Sequence, residues 1–523
     1  MKRARPTPNG VADLEGFTVS LKRHPDTKPL GVFALVLCIF IGILGSGVQL
    51  WGQAQQSSQP TWQQIPIPKL PEFHPLPPKR IEFPNGMVVF LQEDHELPMI
   101  DGIARIRGGE RSVPANKTGL TEVYGEVWRT GGTKSQTGDQ LDDYLEQRAA
   151  KVETGGGVDS TTASWSCLKE DFDDVFRVFE EVLKNPEFRA DKIEIAQKGL
   201  YDGISRRNDE ASQIAGREAA KLVYGTNSPY TRTPEYATVA AITRQDLIDW
   251  HHKYVHPNNI ILGVVGDFDS AKMEARLREA FAAWARGPAA NDPDFKPDPA
   301  KPGYYEVEKT DVNQSNIQMV ALGIKRKDAD YFATSVFNEA FGGGFSSRLF
   351  GDIRTTKGLA YAVGGGVGAG WDHPGMLRLM VSTKSKTTIE SIKALDEEIA
   401  DLAKRPIGDD EIKRAKDAIL NSFVFRFDSP AKVLQEKMAY EFHGYPLDFL
   451  ENFQKGIEAV TKEDVARVAA KYLHRDQMAV LVVGNVGEFD KPLSSLGTVN
   501  KLDIAIPPPP PGLVQNQDQG ERQ

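Results

Sequence analysis

Glu122 and Glu126 stand four residues apart within the stretch from Gly119 to Thr133. On a helix that spacing points both carboxylates the same way, an arrangement that can hold a hard cation, pair with a nearby arginine or share a proton. Gly125 occupies the turn between them, where glycine costs a helix about 0.5–1 kcal/mol relative to alanine. Something other than helix stability governs this turn. His251, His252 and His256 also cluster, near the end of a predicted helix, but no cysteine or carboxylate accompanies them, and they read as structural. Asn116-Lys117-Thr118 has the glycosylation-acceptor pattern, which carries meaning only in a eukaryotic secretory setting.

The totals narrow the classes. At 523 residues the chain exceeds a single core and calls for two or three domains. Its 72 acidic against 63 basic residues, a net charge of −9, argue against a nucleic-acid binder. The two cysteines, Cys38 and Cys167, exclude a disulfide framework and are too few for a cysteine zinc site. An apolar segment from Leu30 to Trp51 follows Lys2, Arg3, Arg5, Lys22, Arg23 and Lys28. It reads as a signal peptide, with a cleavage point after Ala54, or as a signal anchor, so residues 1–54 predict an exported protein, periplasmic or membrane-anchored with the remainder outside. Residues 55–79, rich in Pro and Gln, read as a tether.

The elements that must position the acids follow from periodicity. Strands are expected at Arg80 to Phe83, Met87 to Gln92 and Met99 to Ile106, the first two joined by the Pro84-Asn85-Gly86 turn. The helix carrying Glu122 and Glu126 comes next, then a helix from Gly138 to Ala150 and an extended Thr161 to Leu168. Phe172, Val175, Phe176, Val178, Phe179 and Val182 recur at helical spacing and read as core. A long helical region is expected from Ala190 to Tyr224, and a capping box at Thr243 and Asp246 opens a helix ending before His256. Ile260 to Gly266 reads as a central strand buried on both faces, with one more helix after it. Residues 287–303, with five prolines, read as an interdomain linker.

Beyond the linker the pattern repeats. Thr243-Arg244-Gln245-Asp246 is echoed by Thr461-Lys462-Glu463-Asp464, and Lys253-Tyr254-Val255-His256 by Lys471-Tyr472-Leu473-His474, both at an offset of 218 residues. Gly155-Gly156-Gly157-Val158 and Gly364-Gly365-Gly366-Val367 agree in order at an offset of 209. The chain therefore holds two copies of one α+β domain, at 80–286 and 304–495, each a mostly antiparallel sheet packed by helices. Residues 496–523, with Pro507 to Pro511, read as a disordered tail.

These residues resemble the pitrilysin or insulinase family of zinc metallopeptidases, whose zinc helix carries H-x-x-E-H. The resemblance runs from about Arg80 to Asp490 and rests on Lys117-Thr118-Gly119-Leu120, Gly131-Gly132-Thr133-Lys134-Ser135, Asp159-Ser160-Thr161-Thr162, Cys167-Leu168-Lys169-Glu170-Asp171, Pro257-Asn258-Asn259 and Gly343-Gly344-Phe345-Ser346-Ser347-Arg348-Leu349. It implies that the two zinc-binding histidines fall on Glu122 and Glu126 and the catalytic glutamate on Gly125. The distal metal-binding glutamate falls on Asp202, or on Gly203 in a register one residue longer. Every chemical position is changed while the spacing is intact. No catalytic residue and no metal are expected in this chain alone. A carboxylate cation site at Glu122, Glu126 and Asp202 is the competing reading, and would make the chain an autonomous metal-dependent hydrolase.

The resemblance also assigns Arg354 and Tyr361 to the pair that reaches the zinc helix and holds the substrate carbonyl, with Gly342, Gly343 and Gly344 in the preceding loop binding substrate. It implies a non-catalytic subunit that binds extended peptides and completes the active site of an H-x-x-E-H partner, with zinc in that partner. A structural or peptide-binding protein without enzymatic role is the alternative.

Overall fold

The computed structural model describes residues 76–511. The apolar segment and most of the tether lie outside the described residues. Among the described residues no helix is long and apolar enough to cross a membrane.

The first half builds a six-stranded sheet from β1 (Lys79–Glu82), β2 (Val88–Glu93), β3 (Met99–Arg107), β4 (Lys151–Gly156), β5 (Ser160–Leu168) and β6 (Ile260–Gly266), in the order β1-β2-β6-β3-β5-β4. Only the β2–β6 pairing is parallel. β6 is buried at every position, as its uninterrupted apolar run requires of a central strand covered on both faces.

The second half has β7 (Gly303–Glu308), β8 (Gln314–Leu322), β9 (Ile324–Lys325), β10 (Ala360–Val367), β11 (Ala369–Gly370), β12 (Met376–Lys384), β13 (Ala479–Gly484) and β14 (Val499–Lys501). Its main sheet runs β10-β12-β8-β13-β7-β14, while β9 and β11 pair separately. Setting β2, β3, β4, β5 and β6 against β7, β8, β10, β12 and β13 gives one topology in both halves, with the same central strand and the same parallel neighbour. Two mixed α+β halves with mostly antiparallel sheets are thus present. Thr243 and Thr461 each accept the backbone N–H of the aspartate three residues on, closing the expected capping boxes.

The equivalent helices Ala211–Tyr224 and Pro430–His443 are exchanged between the halves. Ile214, Ala215, Ala219, Leu222 and Val223 pack on the second sheet, against Val307, Val320, Leu481 and Val483. Leu434, Met438 and Phe442 pack on the first, against Phe90, Ile261 and Val265. Each sheet thus takes its cover from the other half, so neither buries its apolar face alone.

Four expectations need correction. The helical region from Ala190 to Tyr224 is two helices, Ala190–Arg206 and Ala211–Tyr224, because the second must leave its own sheet. The Gly138 helix ends at Glu146, short of Ala150, which starts the approach to β4. β4 itself was expected only as a glycine run. Val499–Lys501, placed by composition in a disordered tail, pairs with β7, and Leu502 and Ile504 pack beside the helix Ala211–Tyr224.

Residues 287–303 hold no helix or strand before Gly303 and are bonded along the first half, where Ala290 N–H donates to Asn259 Oδ1 (2.9 Å) and Ala300 N–H to Leu222 O (2.8 Å). Arg111, almost fully buried, ties the halves by pairing with Asp292 of that stretch and with Asp372 of the second half, whose Oδ2 also accepts the Tyr230 hydroxyl (2.5 Å). The Asp372 carboxyl sits well below its usual range: bonds from His373 and Tyr230 and the Arg111 charge outweigh the cost of its burial.

Candidate functional site

The helix Leu120–Thr130 starts at Gly119, whose φ of 102° lies in the left-handed region. No N-cap side chain serves it. Glu110 does so from a distance, its Oε1 accepting Gly119 N–H (2.8 Å) and its Oε2 accepting the Thr121 hydroxyl (2.6 Å). Val123, Tyr124, Val127 and Trp128 fix the buried face. Trp128 Nε1–H donates to Val182 O (2.7 Å), and the Tyr124 hydroxyl bonds His251 Nδ1 (2.9 Å). Burial drives the His251 imidazole down to about 3, with His252 and His256 adding repulsion, so it is a neutral core histidine. His256 Nε2 bonds His252 O (2.7 Å), and among the described residues the three form no group placed to hold a metal ion.

Gly125 is explained by what it touches. A Cβ there would lie 2.2 Å from Gly156 N and 2.5 Å from Gly155 C, and a Cβ on Gly156 would lie 1.8 Å from Thr121 O. Helix and β4 therefore meet backbone to backbone, and Thr154 Oγ1–H donates to Gly125 O across the joint (2.5 Å). The place where a base would stand on this helix is filled by a strand.

Glu122 and Glu126 are exposed, side by side as their spacing requires, along a cleft of about 340 Å³ lined also by Arg129, Glu153, Thr154 and Gly155. Desolvation in the cleft, then the charge of Glu110, raises the Glu122 carboxyl above its ordinary value. Asp202, the expected third member, is exposed on the helix Ala190–Arg206 and is not among the lining residues; Gly203, the alternative, faces open space. The additional acid in the cleft is Glu153 of β4. Among the described residues no group of three or more His, Cys, Asp or Glu is placed to hold a metal ion.

The second half makes the matching joint with a different outcome. Its helix Tyr331–Asn338 continues as a π-helical turn, Glu339–Gly343, and Gly342 meets β10 where a Cβ would lie 2.5 Å from Gly365 O. Gly342 is thus a packing residue. Gly343 is exposed and Gly344 half-buried, both beside the Glu339 carboxylate, which burial pushes up. Arg354 lies on a second π-helical turn, Phe350–Thr356, with its guanidinium 4.8 Å from the Phe350 ring and 5.8 Å from the Tyr361 ring. It makes no ion pair or hydrogen bond among the described residues. Tyr361 is 75% exposed at the start of β10, and Phe345, 83% exposed, packs edge-on to Phe350.

The five residues grouped from sequence therefore divide. Gly342 and Gly343 line a cleft of about 430 Å³ over β10 and β12. Tyr361 lines a larger one of about 830 Å³, whose walls include Asp209, Glu210 and Ser212 of the first half and Asp311, Asn316 and Ser382 of the second. Sequence reading missed Glu153, the Arg111 cluster and the exposed phenylalanines. The offset glycine runs were the available signal for β4 and its acid.

Residues 241–419 match the family model described as peptidase M16 inactive domain, a span that contains Arg354 and Tyr361 and lies beyond Glu122 and Glu126. The chain is 22% identical over 405 residues to a non-peptidase homolog, YmxG, of Helicobacter pylori, covering 76% of this chain and 91% of that protein. It is 23% identical over 297 residues to a probable inactive metalloprotease, YmfF, of Bacillus subtilis, covering 56% and 68%. Among solved structures, a peptidase M16 inactive domain from Pseudomonas fluorescens superposes with a TM-score of 0.72 at 25% identity, covering 80% of this chain and all of that one.

Proposed function

We propose, from the premise that this chain belongs to the M16 peptidase family, the pitrilysin and insulinase group its sequence resembles, that it is a non-catalytic subunit completing the active site of an H-x-x-E-H partner. The observation that carries this reading is the contrast between its two candidate centres. At the first, Gly125 leaves no base and no room for one. At the second, a partly buried Arg354 and an exposed Tyr361 stand together, without an anionic partner among the described residues. A guanidinium and a phenol are preorganised donors suited to a developing oxyanion. β10, which carries Tyr361, is a sheet edge, and an extended peptide adds to such an edge through main-chain hydrogen bonds with little sequence preference. Zinc and the base belong to the partner. Export, with or without retention of the apolar segment as an anchor, completes the proposal and rests on residues 1–54.

The test is co-purification and assay with an H-x-x-E-H homologue. A stoichiometric complex that hydrolyses peptides faster than the homologue alone supports the reading. A self-assembled homodimer that ignores such a homologue favours a purely structural or peptide-binding role. Hydrolysis by the chain alone, abolished by Glu126→Ala, would replace both.

A further inference from the structure

We infer that Arg378 is a carboxylate anchor, placed to hold the negatively charged end or acidic side chain of a peptide lying along the second sheet; this rests on the peptide-binding reading above. Along β12, Leu377, Leu379 and Val381 point into the core of the second half, which turns Met376, Arg378 and Met380 to the opposite face. The exchanged helix Ala211–Tyr224 covers that face over β7, β13 and β8. Over β12 and β10 lies the 430 Å³ cleft, floored by glycines that include Gly365, Gly366 and Gly368. Its volume falls in the range of small-ligand sites.

Among the described residues Arg378 is the only charged one lining this cleft. It is partly buried, yet among the described residues its side chain makes no ion pair, hydrogen bond or ring contact. Every other partly buried or buried arginine described has a partner: Arg348 has Glu411, Arg105 has Asp159, and Arg326 and Arg354 have aromatic rings. A half-desolvated guanidinium without a partner is costly, and its planar fork matches a carboxylate with two parallel hydrogen bonds. The glycine floor lets an extended chain approach closely. With one cation and no lysine or second arginine in the cleft, the charge suits a monoanion better than a phosphate dianion.

The test uses the full chain and fluorescein-labelled extended peptides in three forms: free C-terminus, amidated C-terminus, and amidated with one internal Gln→Glu change. Anisotropy should show about tenfold or greater weakening on amidation, since a charged hydrogen-bonded pair contributes at least that factor. Arg378→Met should abolish the difference, and Arg378→Lys should keep part of it. Recovery of binding by the internal glutamate assigns side-chain carboxylates; failure to recover assigns the terminus. Equal binding of free and amidated peptides to the unmodified chain, or a difference that survives in Arg378→Met with an unchanged Tm, overturns the inference. N-acetylated dipeptides as free acid and amide form a separate arm. A melting shift by the acid alone, lost in Arg378→Met, upholds the anchor even if no extended peptide binds, whereas silence in both arms rejects it together with peptide binding.

Discussion

In the first half a helix meets the glycine run of β4 through Gly125 and Gly156 with Glu122 and Glu126 at the rim; in the second, a helix meets the glycine run of β10 through Gly342 and Gly365, while Tyr361 at the start of that strand, with Arg354 beside its ring, faces a separate cleft. One fold thus makes the same joint twice. The first has lost its base to backbone packing and keeps two carboxylates over a shallow cleft, whereas the second keeps two donors that nothing in the described chain uses. A fold can therefore build one frame twice with different side chains at each copy, and function has to be argued from the residues at each site.

The contrast presupposes that the halves act as one body, so its most drastic failure lies between them. Arg111→Met takes the buried guanidinium away from Asp292 and Asp372, leaving Asp292 to Arg107 alone and Asp372 to His373 and the Tyr230 hydroxyl. A loss of about 3–5 kcal/mol is expected in urea unfolding, still as a single transition because each sheet is covered by the other half's helix. Two separate transitions would show that the helix exchange does not couple the halves.

The joints themselves come next. Gly156→Ala should cost about 3 kcal/mol and Gly125→Ala somewhat less, because backbone atoms cannot yield as a side chain would. Gly125→Glu, even combined with Glu122→His and Glu126→His, should lower Tm and yield no zinc peptidase, and an active triple variant would show that β4 is mobile. By comparison Gly203→Ala, on an open helical surface with nothing near its Cβ, should stabilise by about 0.5–1 kcal/mol.

Acid sharpens the first joint from behind. His251 is held down at about 3 in the folded chain against an ordinary 6.5, so between these values the unfolded chain binds the extra proton. Stability present above pH 6.5 is lost as pH falls toward 3, by about 2 kcal/mol between pH 7 and pH 5. Replacing His251 with Gln should flatten that slope in pH-dependent melts, and an unchanged slope would move its origin elsewhere, with buried His443, held at about 4, the next group to test.

How much of this the sequence could carry depended on whether the signal was local. The duplication, both capping boxes, the doubly buried β6 and the helix holding Glu122 and Glu126 are written in spacing and caps, and the structure places them accordingly. The helix exchange was not legible, because an apolar face at helical spacing does not name the sheet it covers. β4 was hidden because its Gly155 and Gly156 weaken strand propensity for the same reason they are needed, to let a helix approach. Asp202 came from the resemblance, by a spacing from Glu126 that crosses several elements, and such a count does not say which way a helix carries a side chain. Arg354 and Tyr361 lie within ring-contact distance of each other, and their separation from the Gly342 cleft is a three-dimensional fact.

The central claim is that the second joint supplies donors to chemistry performed elsewhere. Its most direct measurement is the steady-state kcat of the complex with an H-x-x-E-H homologue, comparing the unmodified chain with Arg354→Ala and Tyr361→Phe at equal occupancy. Loss of a preorganised oxyanion donor predicts a fall of about 10²–10³-fold in kcat with little change in complex affinity. A kcat untouched by either substitution, with the complex intact, would contradict the account.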